Sequence, residues 1–263
     1  MDLGIRGRTA LVTGADSGMG LETAGLLLAE GVRVVMTDVD QRRLDEAAAG
    51  LSGEIVTVAA DLTKQADVDG LRARAVDAFG GPTIVVHAAG TTGAQGMFHE
   101  IDEDGWRFTL ETDLGATIRV ARAFLGGMRA AGWGRLVLIS SEDAVQPYAD
   151  ELPYCVAKAG VLTLAKGLSK SYASEGVLVN TVSPAFIATP MTDTMMTKRA
   201  EQRGTSFDEA VSSFLEQERP GIELGRRGRA EEVAAVIAFL CSERASFVNG
   251  ANYRVDAGSV ATV

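Results

Sequence analysis

The stretch Thr9-Ala-Leu-Val-Thr-Gly-Ala-Asp-Ser-Gly-Met-Gly20 decides the fold class. Its first five residues predict a buried strand, and segment 18–30 after it has the composition of a helix. Glycines between the two let the backbone turn tightly and approach a pyrophosphate, and the helix N-terminus offers N–H groups and a positive dipole to the phosphates. The candidate cofactor-binding residues of this turn are Gly14, Asp16, Ser17, Gly18, Met19 and Gly20.

The rest of the chain repeats the same strand-then-helix pattern. Its apolar runs are nearly continuous rather than alternating, as expected of parallel strands covered on both faces. The pattern predicts a single-domain, Rossmann-like α/β fold, a doubly wound parallel sheet with helices on both faces and about seven strands. The other predicted strands are 32–37, 54–59, 82–87, 135–140, 177–182 and 252–255, and the other predicted helices are 40–49, 67–79, 103–131, 153–174 and 230–242.

No linker rich in proline, glycine or serine interrupts this alternation, so residues 1–263 are predicted to form one domain. Segment 189–228 is the exception, because it is polar and charged and fits no strand-helix unit. We expect it to be an inserted lid over the substrate site.

Composition excludes several classes of protein. The net charge of −10 argues against a nucleic-acid or anionic-membrane surface, and no apolar stretch approaches the length of a membrane span. The two cysteines, Cys155 and Cys241, suit neither a disulfide framework nor a metal site, and residues 1–8 do not read as a signal peptide. We therefore expect a soluble, cytoplasmic protein that binds no metal.

A carboxylate follows the second predicted strand and indicates which dinucleotide binds. Asp38 lies 18 residues beyond Gly20, where it can accept hydrogen bonds from both ribose hydroxyls and would repel a 2′-phosphate. The glycine turn contains no Arg or Lys, which also favours NAD over NADP. Asp38 could instead merely cap the next helix. Asp61 and Leu62 after the third strand are candidates for contacting the adenine, although a helix cap explains Asp61 equally well.

Tyr154 and Lys158 lie four residues apart in a predicted helix and therefore share one face. A free tyrosine is a poor base at neutral pH, but a nearby ammonium and an oxidised nicotinamide would let its phenol exchange a proton with a substrate oxygen. Ser141 ends the fifth predicted strand, at the edge of the sheet where ligands bind, and its hydroxyl could polarise a carbonyl. These residues predict hydride transfer between NAD(H) and a secondary alcohol or ketone.

The sequence resembles the short-chain dehydrogenase/reductase family over essentially its whole length, including members that reduce 3-oxoacyl groups. The resemblance implies that Ser141 holds the substrate oxygen, that Tyr154 is the general acid/base, and that Lys158 binds the nicotinamide ribose and tunes Tyr154. It also implies that the backbone of Ile187 and the hydroxyl of Thr189 hold the carboxamide, and that the protein is a homotetramer. The matching residues are Thr13, Gly14, Gly18, Gly20, Asp61, Ala88, Ala89, Gly90, Ser140, Ser141, Tyr154, Lys158, Asn180, Pro184, Thr189, Asn249, Gly250, Val255, Asp256, Ala257 and Gly258.

Some positions depart from the family pattern. Asp113 stands where the family usually has an asparagine whose backbone holds a water near the lysine, and it completes the candidate catalytic set. Its carboxylate would stabilise the ammonium of Lys158 and disfavour ionised Tyr154, which predicts an activity optimum displaced toward alkaline pH. Alternatively only its backbone carbonyl matters. His87 and Ala88 replace asparagines before Ala89, and we expect His87 to be structural. Ala185 replaces a glycine after Pro184.

The substrate pocket is expected between loop 142–153 and the lid. Methionine and phenylalanine side chains in the lid favour an apolar or medium-sized alcohol or carbonyl. A basic cluster in the lid could receive an acyl-carrier protein or coenzyme A thioester, but interleaved glutamates and aspartates also fit a solvated face. The cluster comprises Lys198, Arg199, Arg203, Arg219, Arg226, Arg227 and Arg229.

Two functions from other classes compete with an oxidoreductase. A dinucleotide-binding sensor or scaffold without turnover would explain the changes at Asp113, His87 and Ala185, but not the intact Ser141, Tyr154 and Lys158. A methyltransferase on a similar sheet would leave Tyr154 and Lys158 without a role.

Overall fold

The computed structural model describes residues 2–262, in which strands and helices alternate as the sequence predicts. The strands are β1 (Thr9–Thr13), β2 (Arg33–Asp38), β3 (Ile55–Ala59), β4 (Ile84–His87), β5 (Gly134–Ile139), β6 (Val177–Pro184), β7 (Ile187–Ala188), β8 (Gly228–Arg229) and β9 (Asn252–Val255). The helices are α1 (Gly18–Ala29), α2 (Gln41–Ala49), α3 (Gln65–Phe79), α4 (Glu103–Leu110), α5 (Ala116–Ala130), α6 (Leu152–Tyr172), α7 (Pro190–Arg203), α8 (Phe207–Glu218) and α9 (Ala230–Leu240).

Seven of these strands form one parallel sheet in the order β3-β2-β1-β4-β5-β6-β9. This architecture confirms the predicted doubly wound α/β fold. The strand order reverses between β1 and β4, and such a reversal leaves a crevice at the carboxyl ends of the strands where ligands bind. β7 and β8 pair separately as a short two-stranded ribbon.

The register of the sheet explains the continuous apolar runs in the sequence. Leu11 pairs with Val35 and Val85, and these side chains pack on the face covered by α3 and α5. Neighbours such as Val12 and Val86 point to the opposite core beneath α1 and α9. Both faces of β1 are therefore buried, which is why its five residues are all apolar or β-branched.

The long helix predicted over 103–131 differs from the structure in its middle. α4 and α5 are joined by a π-helical turn, Glu111–Gly115, which holds one residue more per hydrogen-bonded turn than an α-helix. Thr117, in the first turn of α5, donates its hydroxyl to the carbonyl of Asp113 at 2.6 Å. Asp113 lies within the π-helical turn, and its side chain is buried.

The segment expected to be a lid contains the two helices α7 and α8. They pack on a third, smaller core of Phe186, Met196, Phe214 and Ile222, separate from the two cores of the sheet. Thr189 and Ser206 cap the helices, each with a side chain that accepts a hydrogen bond from the first turn. Within residues 2–262, no helix is long and apolar enough to cross a membrane.

Candidate active site

The glycine turn between β1 and α1 has the backbone conformation that its sequence predicts. Gly14 and Gly18 have φ values of 65° and 54°, in the left-handed region that favours glycine. A Cβ atom on Gly20 would lie 2.1 Å from the carbonyl oxygen of Gly14, so no other residue fits there. The turn thus brings the N-terminus of α1 against the carboxyl end of the sheet, where its N–H groups can receive phosphates.

A cleft of about 500 Å³ runs along this edge of the sheet. Its volume and its glycine-lined floor suit a dinucleotide, which needs an extended site with a phosphate-binding centre. The structure brings most of the predicted cofactor residues together in its walls. They are Gly14, Asp16, Ser17, Gly18, Met19, Gly20, Asp38, Asp61, Leu62, Ala88, Ala89, Gly90 and Thr189.

One end of the cleft carries a charge arrangement that the sequence did not reveal. Asp38 lines this end, and its Oδ1 accepts a hydrogen bond from the N–H of Val39 at 2.7 Å. Burial raises the pKa of Asp38, the Val39 N–H opposes the rise, and Asp16 adds to it. Arg43 also lines the cleft, with its guanidinium 2.9 Å from Oδ2 of Asp16. A cation is therefore present beside Asp38, although a carboxylate already holds it.

The other predicted adenine contact is anchored within its own loop. Asp61 accepts hydrogen bonds from the backbone and hydroxyl of Thr63 at 3.0 and 2.6 Å, and it lies 3.1 Å from Nζ of Lys64. These contacts lower the pKa of Asp61, the Thr63 hydroxyl contributing most. The carboxylate orders the turn before α3 and still borders the cleft.

The other end of the cleft opens into a cavity of about 100 Å³ around the predicted catalytic pair. Tyr154 and Lys158 both line it, one turn apart on α6, together with Ser141. Nζ of Lys158 donates to the carbonyl of Ile139 at 3.3 Å and lies 5.3 Å from the centre of the Tyr154 ring. The predicted residues Pro184 and Ile187 border the same cavity, and Thr189 links it to the glycine turn.

Ser141 does not point freely into the cavity. Its hydroxyl donates to Oδ1 of Asp143 at 2.9 Å, inside the short 3-10 turn that follows β5. Burial raises the pKa of Tyr154 well above its usual value, and the charges of Asp143 and Asp113 raise it further. The Ser141 hydroxyl acts in the opposite direction. Burial and the nearby carboxylates, Glu151 included, therefore favour the protonated phenol.

Asp113 contacts Lys158 of the predicted catalytic pair. Its Oδ1 accepts a hydrogen bond from the N–H of Thr91 at 3.1 Å and is 3.3 Å from Nζ of Lys158. Burial raises the pKa of Asp113, and the Lys158 ammonium opposes that rise. A Cβ atom on Gly90 would lie 2.6 Å from the same Oδ1, so Gly90 leaves the space in which carboxylate and ammonium meet.

His87 is buried and does not line either cavity beside Tyr154. Its Nδ1 lies 2.9 Å from the Thr13 hydroxyl, which also accepts hydrogen bonds from the N–H groups of Ala88 and Ala89. Burial lowers the pKa of His87 to about 3, and the Lys158 charge contributes. The imidazole is thus neutral at physiological pH and joins the ends of β1 and β4.

A second cavity of about 100 Å³ lies between the predicted catalytic residues and the lid. Apolar side chains of the lid and of the segment before it cover one side, and buried charged groups form the other. Arg219 contacts Glu142 at 3.6 Å and Glu151 at 3.4 Å, and its guanidinium stacks 3.5 Å from the centre of the Tyr148 ring. The apolar lining is Ala185, Phe186, Met191, Met195 and Phe214.

The sequence indicated the residues that line the site, but not the side chains that contact them. Asp143 and Arg219 were visible only as parts of a loop and of a basic cluster, with no signal that they would meet near Ser141. Arg43 lies on α2, outside the glycine turn in which cationic residues were sought. An aspartate two residues after a strand-end serine is the one pattern that could have pointed to the Ser141–Asp143 contact.

Comparison with known proteins gives consistent results over the whole chain. A family model described as Enoyl-(Acyl carrier protein) reductase matches residues 14–260. Cis-4-hydroxycyclohexanecarboxylate dehydrogenase of Sinomonas cyclohexanicum is 36% identical over 256 residues, with 97% of each chain covered. The 3-oxoacyl-(acyl-carrier-protein) reductase FabG of Vibrio cholerae is 31% identical, with 97% of this chain and 98% of the relative covered.

Solved structures show the same likeness. L-sorbose reductase from Gluconobacter frateurii, crystallised with NADPH and L-sorbose, superposes with a TM-score of 0.93 at 32% identity and 100% coverage of both chains. The likeness thus extends to sequence, fold and the whole length of the chain.

Proposed function

The chain belongs to the short-chain dehydrogenase/reductase family, and we propose that Tyr154, Lys158 and Ser141 carry out its reaction with NAD(H) as the cofactor. Members of this family transfer a hydride between a nicotinamide cofactor and an alcohol or ketone, with a tyrosine as general acid/base. The observation that carries the proposal is the meeting of these three residues in one cavity that continues the dinucleotide cleft.

Side chains of this protein can carry out every proton transfer that the reaction needs. Tyr154 takes the hydroxyl proton of an alcohol, or returns it to a ketone, while Ser141 donates a hydrogen bond to the same oxygen. A nicotinamide held in the cleft would supply the hydride acceptor or donor that the substrate carbon needs. Lys158, positioned by the Ile139 carbonyl and Asp113, places a positive charge beside the phenol, which favours the phenolate.

The direct test is a turnover assay over a panel of secondary alcohols and ketones, followed through the absorbance of the reduced nicotinamide. We expect hydride transfer with part of this panel. Binding of NAD(H) without turnover of any member would instead favour the alternative of a sensor or scaffold.

NAD is favoured over NADP because Asp38 borders the end of the cleft expected to hold the adenosine ribose. A carboxylate there accepts hydrogen bonds from ribose hydroxyls and repels a 2′-phosphate. The guanidinium of Arg43 favours NADP, but its ion pair with Asp16 weakens that argument. Support for NADP also comes from the L-sorbose reductase crystallised with NADPH.

Cofactor choice is tested by kcat/KM for NADH and NADPH in the wild type, Asp38→Asn and Arg43→Ala. We expect NADH to be preferred by roughly 10- to 100-fold, the worth of a hydrogen bond to a charged group, and Asp38→Asn to reduce that preference. A wild-type preference for NADPH that disappears in Arg43→Ala would show that Arg43, not Asp38, sets the choice.

A thioester substrate is the second candidate, because FabG of Vibrio cholerae is a reductase of 3-oxoacyl groups on acyl-carrier protein. In this chain most of the basic cluster is engaged in ion pairs, such as Arg226 with Glu232 and Arg227 with Asp193. These contacts favour a structural role for the cluster. Reduction of an acetoacetyl thioester at a rate above that of simple ketones would favour the second candidate.

We further propose a homotetramer. Exposed apolar side chains on α4 and α6, such as Phe108 and Val156, could pack against partner subunits. Light scattering that gives the mass of one chain would contradict this proposal.

A reducing, cytoplasmic environment is proposed from the two buried free thiols. Burial raises the pKa of Cys155 to about 11 and that of Cys241 to about 12, so both are packing residues that stay protonated.

A further inference from the structure

The cavity between Tyr154 and the lid has an unusual wall for a pocket next to a hydride-transfer site. Three carboxylates, Glu142, Asp143 and Glu151, line it together with Ser141. Glu142 and Asp143 are at most 5% exposed. Among the described residues that line the cavity, Arg219 is the one cation, and it forms ion pairs with the two glutamates but not with Asp143. The wall is therefore rich in hydrogen-bond acceptors that the chain itself does not fully satisfy.

One of these acceptors lacks a partner of normal geometry in the described part of the chain, and a second relies on a donor that the reaction itself needs. Oε2 of Glu142 is buried without such a partner, although the Ser259 hydroxyl lies close enough to lower the pKa of Glu142. Asp143 accepts its side-chain hydrogen bond from Ser141, whose hydroxyl is also the group needed to hold the substrate oxygen. When Ser141 turns to the substrate, Asp143 loses this donor and keeps its contact with the Glu151 carboxyl, which raises the pKa of Glu151. A carboxylate oxygen can accept more than one hydrogen bond, so a substrate hydroxyl that replaces the Ser141 donor is favoured.

The distance between Ser141 and Asp143 indicates which part of the substrate can donate a hydrogen bond to Asp143. Ser141 Oγ and Asp143 Oδ1 are 2.9 Å apart, which is also close to the separation of oxygens on adjacent carbons of a diol. A substrate with its reacting oxygen on Ser141 and Tyr154 would thus present a hydroxyl on the neighbouring carbon to Asp143. Glu142 lies next along the wall and can accept from a further hydroxyl.

We propose that the substrate is an uncharged, vicinally hydroxylated alcohol or hydroxyketone, and that Asp143 determines this specificity by accepting a hydrogen bond from the hydroxyl beside the reacting carbon. This inference rests on the proposed function. In the oxidation, the carbinol carbon would give its hydride to a nicotinamide held in the cleft, the hydroxyl proton passes to Tyr154, and the neighbouring hydroxyl keeps its proton while donating a hydrogen bond to Asp143.

The charge of the cavity wall favours an uncharged substrate over its anionic and cationic analogues. When both glutamates hold protons, the charge of Asp143 is balanced by that of Arg219, so the wall favours neither an anionic nor a cationic substrate. Burial raises the pKa of Glu142 to about 7, with Asp143 adding to the rise and Arg219 opposing it. Burial and Asp143 likewise raise the pKa of Glu151 to about 8.

Four alcohols that share one carbinol centre test the proposal. Isopropanol, propylene glycol, isopropanolamine and lactate differ only in a methyl, hydroxymethyl, aminomethyl or carboxylate group next to the reacting carbon. We expect kcat/KM for propylene glycol to exceed that for isopropanol roughly 10- to 100-fold, as for a hydrogen bond to a charged group. Equal values for these two, or a preference for isopropanolamine or lactate, would overturn the proposal.

The assignment to Asp143 is tested by the ratio of kcat/KM for propylene glycol over isopropanol within each variant. Asp143→Ala should bring this ratio close to one, and Asp143→Asn, which keeps one acceptor oxygen, should reduce it less. Asp150→Ala is the matched control, because Asp150 is an exposed acid on the same loop outside the cavity, and it should keep the wild-type ratio. An unchanged ratio in a folded Asp143→Ala protein would contradict the assignment.

Binding of the same alcohols to the enzyme-NADH complex, measured by saturation-transfer NMR, separates this inference from the proposed function. Tighter binding of propylene glycol than of isopropanol supports the specificity even without turnover, whereas turnover of both without a preference contradicts the specificity alone. Absence of turnover across the wider panel counts against the proposed function.

Discussion

Asp113 is the residue through which the surroundings of the catalytic pair differ from the family pattern. The sequence predicted a carboxylate near Lys158, and its Oδ1 is 3.3 Å from Nζ. Its charge is one of the influences that raise the pKa of Tyr154, after burial and Asp143. A general base with a raised pKa is deprotonated only at higher pH, so the carboxylate should displace alcohol oxidation toward alkaline conditions.

Asp113→Asn should therefore move the acidic limb of the kcat/KM profile for alcohol oxidation to lower pH. The amide keeps the shape of the side chain but removes the charge that favours the protonated phenol. Asp104→Asn changes an exposed acid on α4 and should leave the profile in place. Superimposable profiles for the wild type and Asp113→Asn would show that only the backbone of Asp113 matters.

Gly90 tests the geometry of the same ion pair. A Cβ atom there would lie 2.6 Å from Oδ1 of Asp113 and 3.2 Å from Nζ of Lys158, so Gly90→Ala must displace one of them. We expect kcat to fall roughly tenfold to 100-fold, the effect of misplacing a reacting group by about 1 Å. Gly126→Ala is the control, because a Cβ atom there meets nothing within 4 Å. Wild-type kcat in Gly90→Ala would contradict this account.

At the scale of elements, the sequence predicted the sheet well because both faces of its strands are buried. Such strands appear as continuous apolar runs, as in β1 and β5. The π-helical turn was not predicted, since its residues Glu111–Gly115 have no apolar period that distinguishes them from an α-helix. The apolar spacing in the lid is compatible with an amphipathic helix, but the bounds of its two helices were not predicted, because they depend on caps and on a small separate core.

The cap of α8 allows a test of how firmly the lid is held. The Ser206 hydroxyl accepts a hydrogen bond from the N–H of Glu209 at 3.3 Å, and the Glu209 carboxylate accepts one from the N–H of Ser206 at 2.9 Å. Ser206→Ala should cost about 1 kcal/mol and speed hydrogen exchange of the first amides of α8 about fivefold. Ser212→Ala, an exposed change inside the same helix, should leave those rates unchanged. Equal rates in Ser206→Ala and the wild type would show that the cap does not hold the lid.

At the scale of the whole molecule, the acidic wall couples stability to pH. The pKa of Glu142 is about 7 in the folded chain, above its ordinary value of 4.5, so the folded state holds the proton more tightly than the unfolded state. The stabilising contribution of this group is therefore full below about pH 4.5 and is lost as the pH rises through 7.

Glu142→Gln should remove this part of the pH dependence. The wild type should lose about 3 kcal/mol of unfolding free energy relative to the variant between pH 4.5 and 8, since one pKa unit corresponds to about 1.4 kcal/mol. Urea unfolding of the two proteins across this range measures the difference. Glu103→Gln, an exposed change on α4, should keep the wild-type slope. Parallel stability curves for the wild type and Glu142→Gln would contradict the raised pKa.

The sequence also predicted which parts of the molecule meet at the active site, but not how they are tuned. Residues at the ends of β1, β5 and β6 must meet in a parallel sheet, so Gly14, Ser141 and Pro184 could be placed together from order alone. The partners of Ser141 and Glu142 depend on how loop 142–151 folds against the lid. Contacts between irregular segments have no period in the sequence, which is why the proposal for the substrate class needed the structure.

The most direct measurement of the central claim is the turnover of Tyr154→Phe, which removes the phenol and leaves the ring. A folded variant that still binds NADH should lose roughly 100- to 10 000-fold in kcat, the usual contribution of a general acid/base. Tyr172→Phe, at the far end of the same helix α6, should keep wild-type turnover. Wild-type kcat in Tyr154→Phe would show that another group moves the proton and would contradict the account.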